Sequence, residues 1–195
     1  MNEFFPQPDG AATPLEEEEK RDLKLDYIAN RGDLNAAEQE DILRGREWAM
    51  RRKRDVLSDR FIKDLHRHML GDVWKWAGKY RTTQRNIGVD YWEISVAMHN
   101  ALEDAKTWIE KQTYPPDEIA VRIHHRLVQI HAFPNGNGRH ARLMADLLAQ
   151  RFGNMPFSWG KGSLGNPGEL RKRYVDALRA ADRQDIGPLL EFARR

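Results

Sequence analysis

Residues 131–142 of the chain read HAFPNGNGRHAR. Gly136 and Gly138 can take backbone angles that are closed to other residues, so this stretch predicts a tight turn. Residues 139–152 then show the spacing of a helix with one apolar face, formed by Leu143, Leu147 and Leu148. The turn is therefore expected at a helix N-terminus, where unpaired N–H groups and the helix dipole attract an anion.

Three charged or titratable side chains flank this turn. Arg139 and Arg142 are three residues apart and are expected to project from one face of the first helical turn. Guanidinium groups bind phosphate oxygens through paired N–H bonds, and two cations at a helix start are unfavourable unless an anion is bound. The preceding helix, predicted over residues 117–130, ends at His131. The residues alone predict a phosphate site with a candidate base.

The same stretch resembles the signature of the Fic family. The residues within and around it, including Pro134 and Asn135, look most like the branch called mobile mystery protein B. The matching residues are His131, Phe133, Gly136, Asn137, Gly138, Arg139 and Arg142. The resemblance implies a protein adenylyltransferase, which transfers AMP from ATP to a hydroxyl side chain of a target protein. It also implies His131 as the catalytic base and residues 136–139 with Arg142 as the phosphate-binding set.

Two positions depart from the family pattern. Most members carry an acidic residue where Asn135 stands, and that carboxylate holds the Mg²⁺ that bridges the phosphates. Because Mg²⁺ prefers anionic oxygen ligands, Asn135 is expected to bind it weakly. Ala132 replaces the usual proline and removes the restriction that proline imposes on His131.

Residues 71–90 change character and predict a small β-hairpin, because short Thr-, Ile- and Val-containing pieces follow Trp74 and Trp76. In Fic proteins a hairpin flap lies over the active site and holds the target chain, and residues 76–81 resemble its lead-in. A strand edge there could pair with an extended target segment. The expected target-binding residues are Arg85, Asn86, Ile87, Gly88 and Val89.

The remaining chain reads as helices separated by Gly, Pro and Asn signals, which predicts a mainly α, Fic-like bundle of about seven or eight helices. Residues 1–57 are expected to form an arm and helices that pack on a Fic-like domain of residues 58–195, within one structural unit. Predicted helix caps are Thr13, Asn35, Ser58 and Asn166, and the first helix is expected to reach about Ala29. Buried positions are expected at Ile119, Ile123, Leu127, Ile130, Tyr174, Leu189 and Phe192. His66 is expected at the surface, and Trp159 could border a nucleotide base.

Composition restricts the class of protein. The 195 residues suit one well-cored domain, the net charge is +2, and there is no cysteine. Disulfides and cysteine-based zinc sites are therefore excluded, and no apolar run approaches a membrane span. The expectation is a soluble cytoplasmic protein that binds no membrane and no nucleic acid directly.

Three alternatives remain at this point. A Doc-like protein phosphotransferase would bind the nucleotide in the reverse direction, although Gly136 and Arg139 favour the Fic pattern. A nucleotide-binding module with impaired catalysis would follow from the neutral Asn135. A histidine metal site at His124, His125, His131 and His140 is disfavoured, since adjacent histidines point to different faces.

Unregulated AMP transfer would harm a cell. Fic proteins are often inhibited by a Ser/Thr-xxx-Glu-Gly/Asn motif whose glutamate pairs with the second arginine of the signature. Thr13 and Glu17 have the first spacing, but Glu18 follows where Gly or Asn is expected. The sequence therefore favours a separate inhibitory, antitoxin-like protein.

Overall fold

A computed structural model of the chain describes residues 21–51, 54–160 and 167–195. None of these residues forms a β-strand, which confirms the mainly α fold. Seven helices lie within the described ranges: α1 (Arg31–Met50), α2 (Asp59–Leu70), α3 (Ile94–Glu110), α4 (Pro116–Ile130), α5 (Asn137–Arg151), α6 (Pro167–Asp182) and α7 (Gly187–Arg194).

Helices α4 and α5 form the centre of the bundle and pack against each other. The apolar stripe that the sequence places on α4 is buried, at Ile119, Ile123, Leu127 and Ile130. Most of α5 is buried as well, including Leu143, Met144 and Leu148. Helix α3 covers α4, and α1 packs along α2. The loop between α4 and α5 is thus held at both ends by the core.

The N-terminal helix boundaries differ from the prediction. Residues 1–20 lie outside the described ranges, and the helix expected to reach Ala29 has ended by Leu23, which forms an antiparallel bridge with Trp74. Helix α1 begins at Arg31 rather than Asn35. The reason is a local cap, in which the Asn30 side chain accepts the Asp33 N–H at 3.0 Å and the Asp33 carboxylate accepts the Ala29 N–H.

Helix α2 begins as predicted, because Ser58 Oγ accepts the N–H of Phe61 at 3.3 Å. Its apolar face is buried at Phe61, Ile62, Leu65 and Met69. His66 is also fully buried, so the prediction of a surface histidine is wrong. It lies one turn from Ile62 on the side of the helix that faces the loop between α4 and α5.

No hairpin forms over residues 75–93, all of which the structure describes. Two backbone donors of this segment bond to the end of α4 and the residue two beyond it, since Arg81 N–H donates to Ala132 O at 2.9 Å and Val89 N–H to Ile130 O at 3.3 Å. The segment is therefore an irregular loop attached to the end of α4. We call residues 82–90 the flap loop.

Helices α6 and α7 close the bundle beside α4. Tyr174 of α6 and Leu189 and Phe192 of α7 are buried, as the sequence predicts. The predicted cap Asn166 lies outside the described ranges. No helix within those ranges combines the length and apolar character that a membrane span needs. The division at residue 57 stays a prediction.

Candidate functional site

The loop between α4 and α5 is bounded by two left-handed residues. His131 ends α4 with φ 50°, and Gly136 precedes α5 with φ 78°. Between them, Asn137 Oδ1 accepts the N–H of Phe133 at 2.8 Å, and Asn137 Nδ2 donates to Phe133 O at 2.8 Å. This buried pair of bonds closes the loop. Asn137 therefore shapes the turn through its side chain, a function beyond the predicted anion nest.

His66 supports this loop from α2. Its ring stacks on Phe133 with centroids 3.6 Å apart. The Gly78 N–H donates to Nδ1 at 3.0 Å, so the neutral ring carries its proton on Nε2 and donates it to Asn135 O at 3.0 Å. Burial holds the pKa of His66 well below its usual value, with a smaller effect from His140. The amphipathic spacing of α2 was the one sequence signal for this burial.

The two glycines of the turn have different functions. Gly136 has a left-handed backbone, and a Cβ there would lie 2.5 Å from Leu70 Cδ1. Gly138 lies in the first turn of α5, and a Cβ there would meet no atom within 4 Å. Gly136 is thus required by the fold, whereas Gly138 leaves open space at the start of the helix. The N-terminal N–H groups of a helix favour an anion in such a space.

His131 lies half-buried at the opposite end of the loop. Burial lowers the pKa of His131, and the charges of Arg81 and Arg85 lower it further. Gly88 of the flap loop packs on it so closely that a Cβ at Gly88 would lie 2.6 Å from His131 Cβ. The ring is therefore neutral near pH 7 and can accept a proton.

Arg139 is not a solvated cation. Its Nη1 lies 2.5 Å from Oε2 of Glu38 on α1, and that carboxylate is nearly buried. Glu38 Oε1 also accepts the Trp74 Nε1–H at 2.7 Å. The sequence predicted an anion beside this helix start, and in the structure the Glu38 carboxylate of the same chain is that anion. Glu38 was missed because Leu34 and Gln39 stand where the inhibitory pattern has Ser/Thr and Gly/Asn.

Arg142 does not share the exposed face predicted for the two arginines. It is 3% exposed, and its Cζ lies 5.6 Å from the centroid of the Tyr174 ring. Burial lowers the pKa of Arg142, while Tyr174 favours the charged form. Arg139 is therefore the more accessible of the two.

The donors near the turn fit Mg²⁺ poorly. Asn135 is exposed, and its Oδ1 already accepts the Gly136 N–H at 2.7 Å, while its carbonyl accepts from His66. The described residues contain no group of three His, Cys, Asp or Glu side chains that could hold a metal ion. This result also gives no support to the four-histidine site. Any Mg²⁺ here would be held mainly by the phosphates of a nucleotide.

The predicted target-binding residues lie together in the flap loop. Residues 85–88 are exposed, and Val89 is half-buried. Trp159 does not reach the surface, because it is 2% exposed and its Nε1–H donates to Asp146 Oδ1 at 3.0 Å. It packs in the core beside His124, which excludes it as a nucleotide-stacking side chain in this arrangement.

Curated relatives carry a named activity. The chain is 30% identical over 148 residues to protein adenylyltransferase fic-1 of Caenorhabditis elegans, an alignment covering 74% of this chain and 28% of the relative. It is 29% identical to protein adenylyltransferase Fic of Aedes aegypti, covering 72% of this chain and 28% of that protein. The chain thus spans little more than a quarter of these relatives.

Solved structures and a family model agree with the fold. Fic-1 (residues 134–508) from C. elegans superposes with a TM-score of 0.59 at 27% identity, covering 80% of this chain and 48% of that one. BepC from Bartonella tribocorum, solved with AMPPNP, superposes at 0.68 with 15% identity, covering 94% and 91%. Residues 56–149 match the model of the Fic/DOC family. The chain is a member of that family.

Proposed function

We propose that the chain is a protein adenylyltransferase that transfers AMP from ATP to a Ser, Thr or Tyr hydroxyl of a target protein. The observation that carries the proposal is the open start of α5, where Gly138 leaves space beside Arg139 and the loop that His131 begins. The named activity of the relatives and the AMPPNP bound to BepC support ATP as the substrate.

His131 is the proposed base. Its neutral ring takes the proton from the target hydroxyl as the hydroxyl oxygen attacks the α-phosphorus. The bond from the α-phosphorus to the oxygen bridging to the β-phosphorus breaks, and pyrophosphate leaves with that oxygen. The product is a phosphodiester that joins AMP to the side chain. Positioning and charge neutralisation are expected to supply most of the rate enhancement.

The phosphates are proposed to lie at the N-terminus of α5, over Gly136, Asn137 and Gly138. Arg139 contacts the β- and γ-phosphates after its ion pair with Glu38 breaks. Arg142 contributes positive charge from its buried position beside the Tyr174 ring. Mg²⁺ would arrive with the nucleotide and screen the phosphates, with Asn135 offering a single neutral oxygen. No proton transfer in this scheme depends on the metal.

The target chain is proposed to lie against the exposed residues of the flap loop, Arg85 to Gly88, with Val89 at its base. Because residues 75–93 form no strand, main-chain pairing in the manner of a sheet edge would require the loop to straighten. Gly88 places the loop directly on His131, so a hydroxyl held by the loop would reach the proposed base.

Regulation is the second part of the proposal. The pair formed by Glu38 and Arg139 competes with the phosphates for the same guanidinium, so it would hold the activity low within the chain. A separate antitoxin-like inhibitor, a toxin–antitoxin arrangement and a cytoplasmic location remain proposed on the sequence alone. Glu17, the other candidate, lies outside the described residues.

The test uses the purified chain, a cell lysate as the pool of targets, and ATP labelled at either phosphorus. Label transferred from α-³²P-ATP but not from γ-³²P-ATP supports AMP transfer. The reverse result establishes the Doc-like phosphotransferase. ATP binding by calorimetry without any protein label, with Mg²⁺ or Mn²⁺ present, establishes the binding module. No heat with any nucleoside triphosphate overturns the nucleotide site itself.

A further inference from the structure

Arg81 is a buried arginine that makes no ion pair with any carboxylate of the described residues. It is 3% exposed and directly precedes the flap loop. A guanidinium remains charged in a protein, and burying it costs free energy unless its donors are satisfied. Each of the three nitrogens of this side chain donates a hydrogen bond, and all three acceptors are backbone carbonyls.

The acceptors lie on two separate parts of the site. Arg81 Nε donates to His131 O at 2.8 Å, and the Arg81 backbone N–H donates to Ala132 O at 2.9 Å. Arg81 Nη1 donates to Thr83 O at 3.0 Å, and Nη2 donates to Val89 O. One side chain thus joins the end of α4 to both ends of the flap loop.

The bond to His131 O acts at a residue whose backbone is unfavourable. His131 has φ 50°, a left-handed conformation that a residue with a side chain rarely adopts. The direction of its carbonyl and the direction of its imidazole are set by the same backbone. Because Arg81 holds that carbonyl, it restrains the direction of the Cα–Cβ bond from which the ring extends.

Gly88 adds a second contact between the same two parts. Its missing side chain lets the flap loop lie on His131 Cβ, and a Cβ there would also lie 3.0 Å from Arg81 Nη2. The guanidinium, the loop and the histidine are therefore packed as one unit. A substitution of Arg81 would therefore alter the position of both His131, the proposed base, and the flap loop, the proposed target-binding surface.

We propose that Arg81 is a positioning residue for the transfer reaction, which orients His131 and holds the flap loop against it through its backbone hydrogen bonds. The proposal rests on the proposed function of His131 as the base. It has an electrostatic consequence, because the Arg81 charge lowers the pKa of His131 more than the Arg85 charge does. Arg81 thus acts on both the orientation and the protonation of the ring.

Two substitutions separate these effects. Arg81→Lys keeps the charge, but one ammonium cannot reach three carbonyls that lie in different directions. Arg81→Gln removes the charge as well. Arg60→Gln on α2 is the matched control, since that side chain is exposed and lies outside the site. All three variants are measured as the full chain.

The readouts are the initial rate of labelling of lysate proteins from α-³²P-ATP, the Kd for ATP, and the NMR titration of His131. We expect both Arg81 variants to label at least tenfold more slowly, with the Kd for ATP changed less than threefold. Arg81→Gln alone should raise the pKa of His131 toward its ordinary value and shift the pH–rate profile with it. Hydrogen exchange at the Val89 amide should quicken in both.

Wild-type labelling rates in both folded variants would overturn the proposal. Equal losses of ATP binding and labelling, with His131 titrating as in wild type, would also overturn it, as would failure of both variants to fold while Arg60→Gln folds. If the wild-type chain labels nothing, the proposed function has failed, and the His131 titration and Val89 exchange decide the positioning role on their own.

Discussion

The carboxylate of Glu38 lies 2.5 Å from the guanidinium of Arg139, although 101 positions separate the two residues. Glu38 is nearly buried and Arg139 is only partly exposed, so the pair is shielded from much of the solvent. An ion pair that is exposed to solvent contributes little to stability, but the attraction between the two charges is stronger where solvent is excluded. In the proposed function, a nucleotide would therefore have to compete with this carboxylate for Arg139.

Replacement of Glu38 by Gln should release Arg139 for the nucleotide. The amide oxygen can still accept the Trp74 Nε1–H, so the fold is expected to survive while the competing charge is lost. We expect ATP to bind about tenfold more tightly, equivalent to about 1.4 kcal/mol, and labelling from α-³²P-ATP to rise. Calorimetry and gel autoradiography measure the two effects.

Glu40→Gln is the matched control for that experiment. Glu40 is exposed on the same helix, so its substitution makes the same chemical change away from Arg139. It should leave binding and labelling unchanged. Equal behaviour of the two variants would show that the Glu38–Arg139 pair is structural and does not restrain the site.

Substitution of His131 by Ala should remove the base without removing the phosphate site. Labelling should fall by about 10²–10⁴-fold, which is the usual contribution of a positioned base, while ATP still binds. His131 ends α4 on the loop side, so circular dichroism should show an intact fold. Undiminished transfer would show that another group takes the proton.

The pH dependence of transfer follows from the lowered pKa of His131. The base form is the neutral ring, and its fraction rises as pH rises through a pKa below 6.5. We expect kcat/KM to rise with pH in the acidic range and to be level near pH 7. An acidic limb that has its midpoint above pH 6.5 would contradict the assignment.

The two glycines of the turn should respond oppositely to alanine. Gly136→Ala must adopt a left-handed backbone and displace Leu70, so unfolding free energy should fall by about 2 kcal/mol or more. Gly138→Ala has room in a helical turn, so stability should be unchanged or rise by up to about 1 kcal/mol. Denaturant unfolding distinguishes them.

The same two variants also test the location of the phosphates. The methyl group of Gly138→Ala would occupy the open space at the start of α5, so ATP should bind about tenfold more weakly, a loss of about 1.4 kcal/mol. The variant remains folded, which makes calorimetry decisive. Unchanged affinity would place the phosphates elsewhere.

Buried histidines should make the fold sensitive to acid. Burial lowers the pKa of His140 to about 4, although its ring nitrogen bonds to Ile62 O at 3.0 Å. The unfolded chain takes up this proton below about pH 6.5 and the folded chain does not, so stability falls as pH drops from 6.5 toward 4. The slope is about 1.4 kcal/mol per pH unit for this group.

His140→Gln isolates that contribution. The variant should lose one proton of uptake on unfolding, so its stability should fall less steeply with acid than that of wild type. The comparison uses slopes between pH 6.5 and 4, which a uniform loss of stability does not alter. Identical slopes would show that His140 protonates equally in the folded and unfolded chains.

Local chemistry made much of the site predictable. The start of α2 at Ser58, the ends of α4 and α5, and the turn at Gly136 depend on residues within a few positions of one another. Capping and helical spacing are properties of such short stretches. The position of His131 at the end of a buried helix followed from the same signals.

Long-range packing decided the rest. The flap loop does not form a hairpin, because Val89 N–H bonds to Ile130 O and Arg81 N–H, just before the loop, bonds to Ala132 O. His66 is buried because α2 packs on the loop that contains Phe133. By itself, the sequence determined the helical bundle, the family signature and the turn that begins α5. The ion pair between Glu38 and Arg139 and the hydrogen bond from Arg81 to His131 O were decided by the tertiary structure. Each joins two residues whose separation along the chain carries no periodic signal.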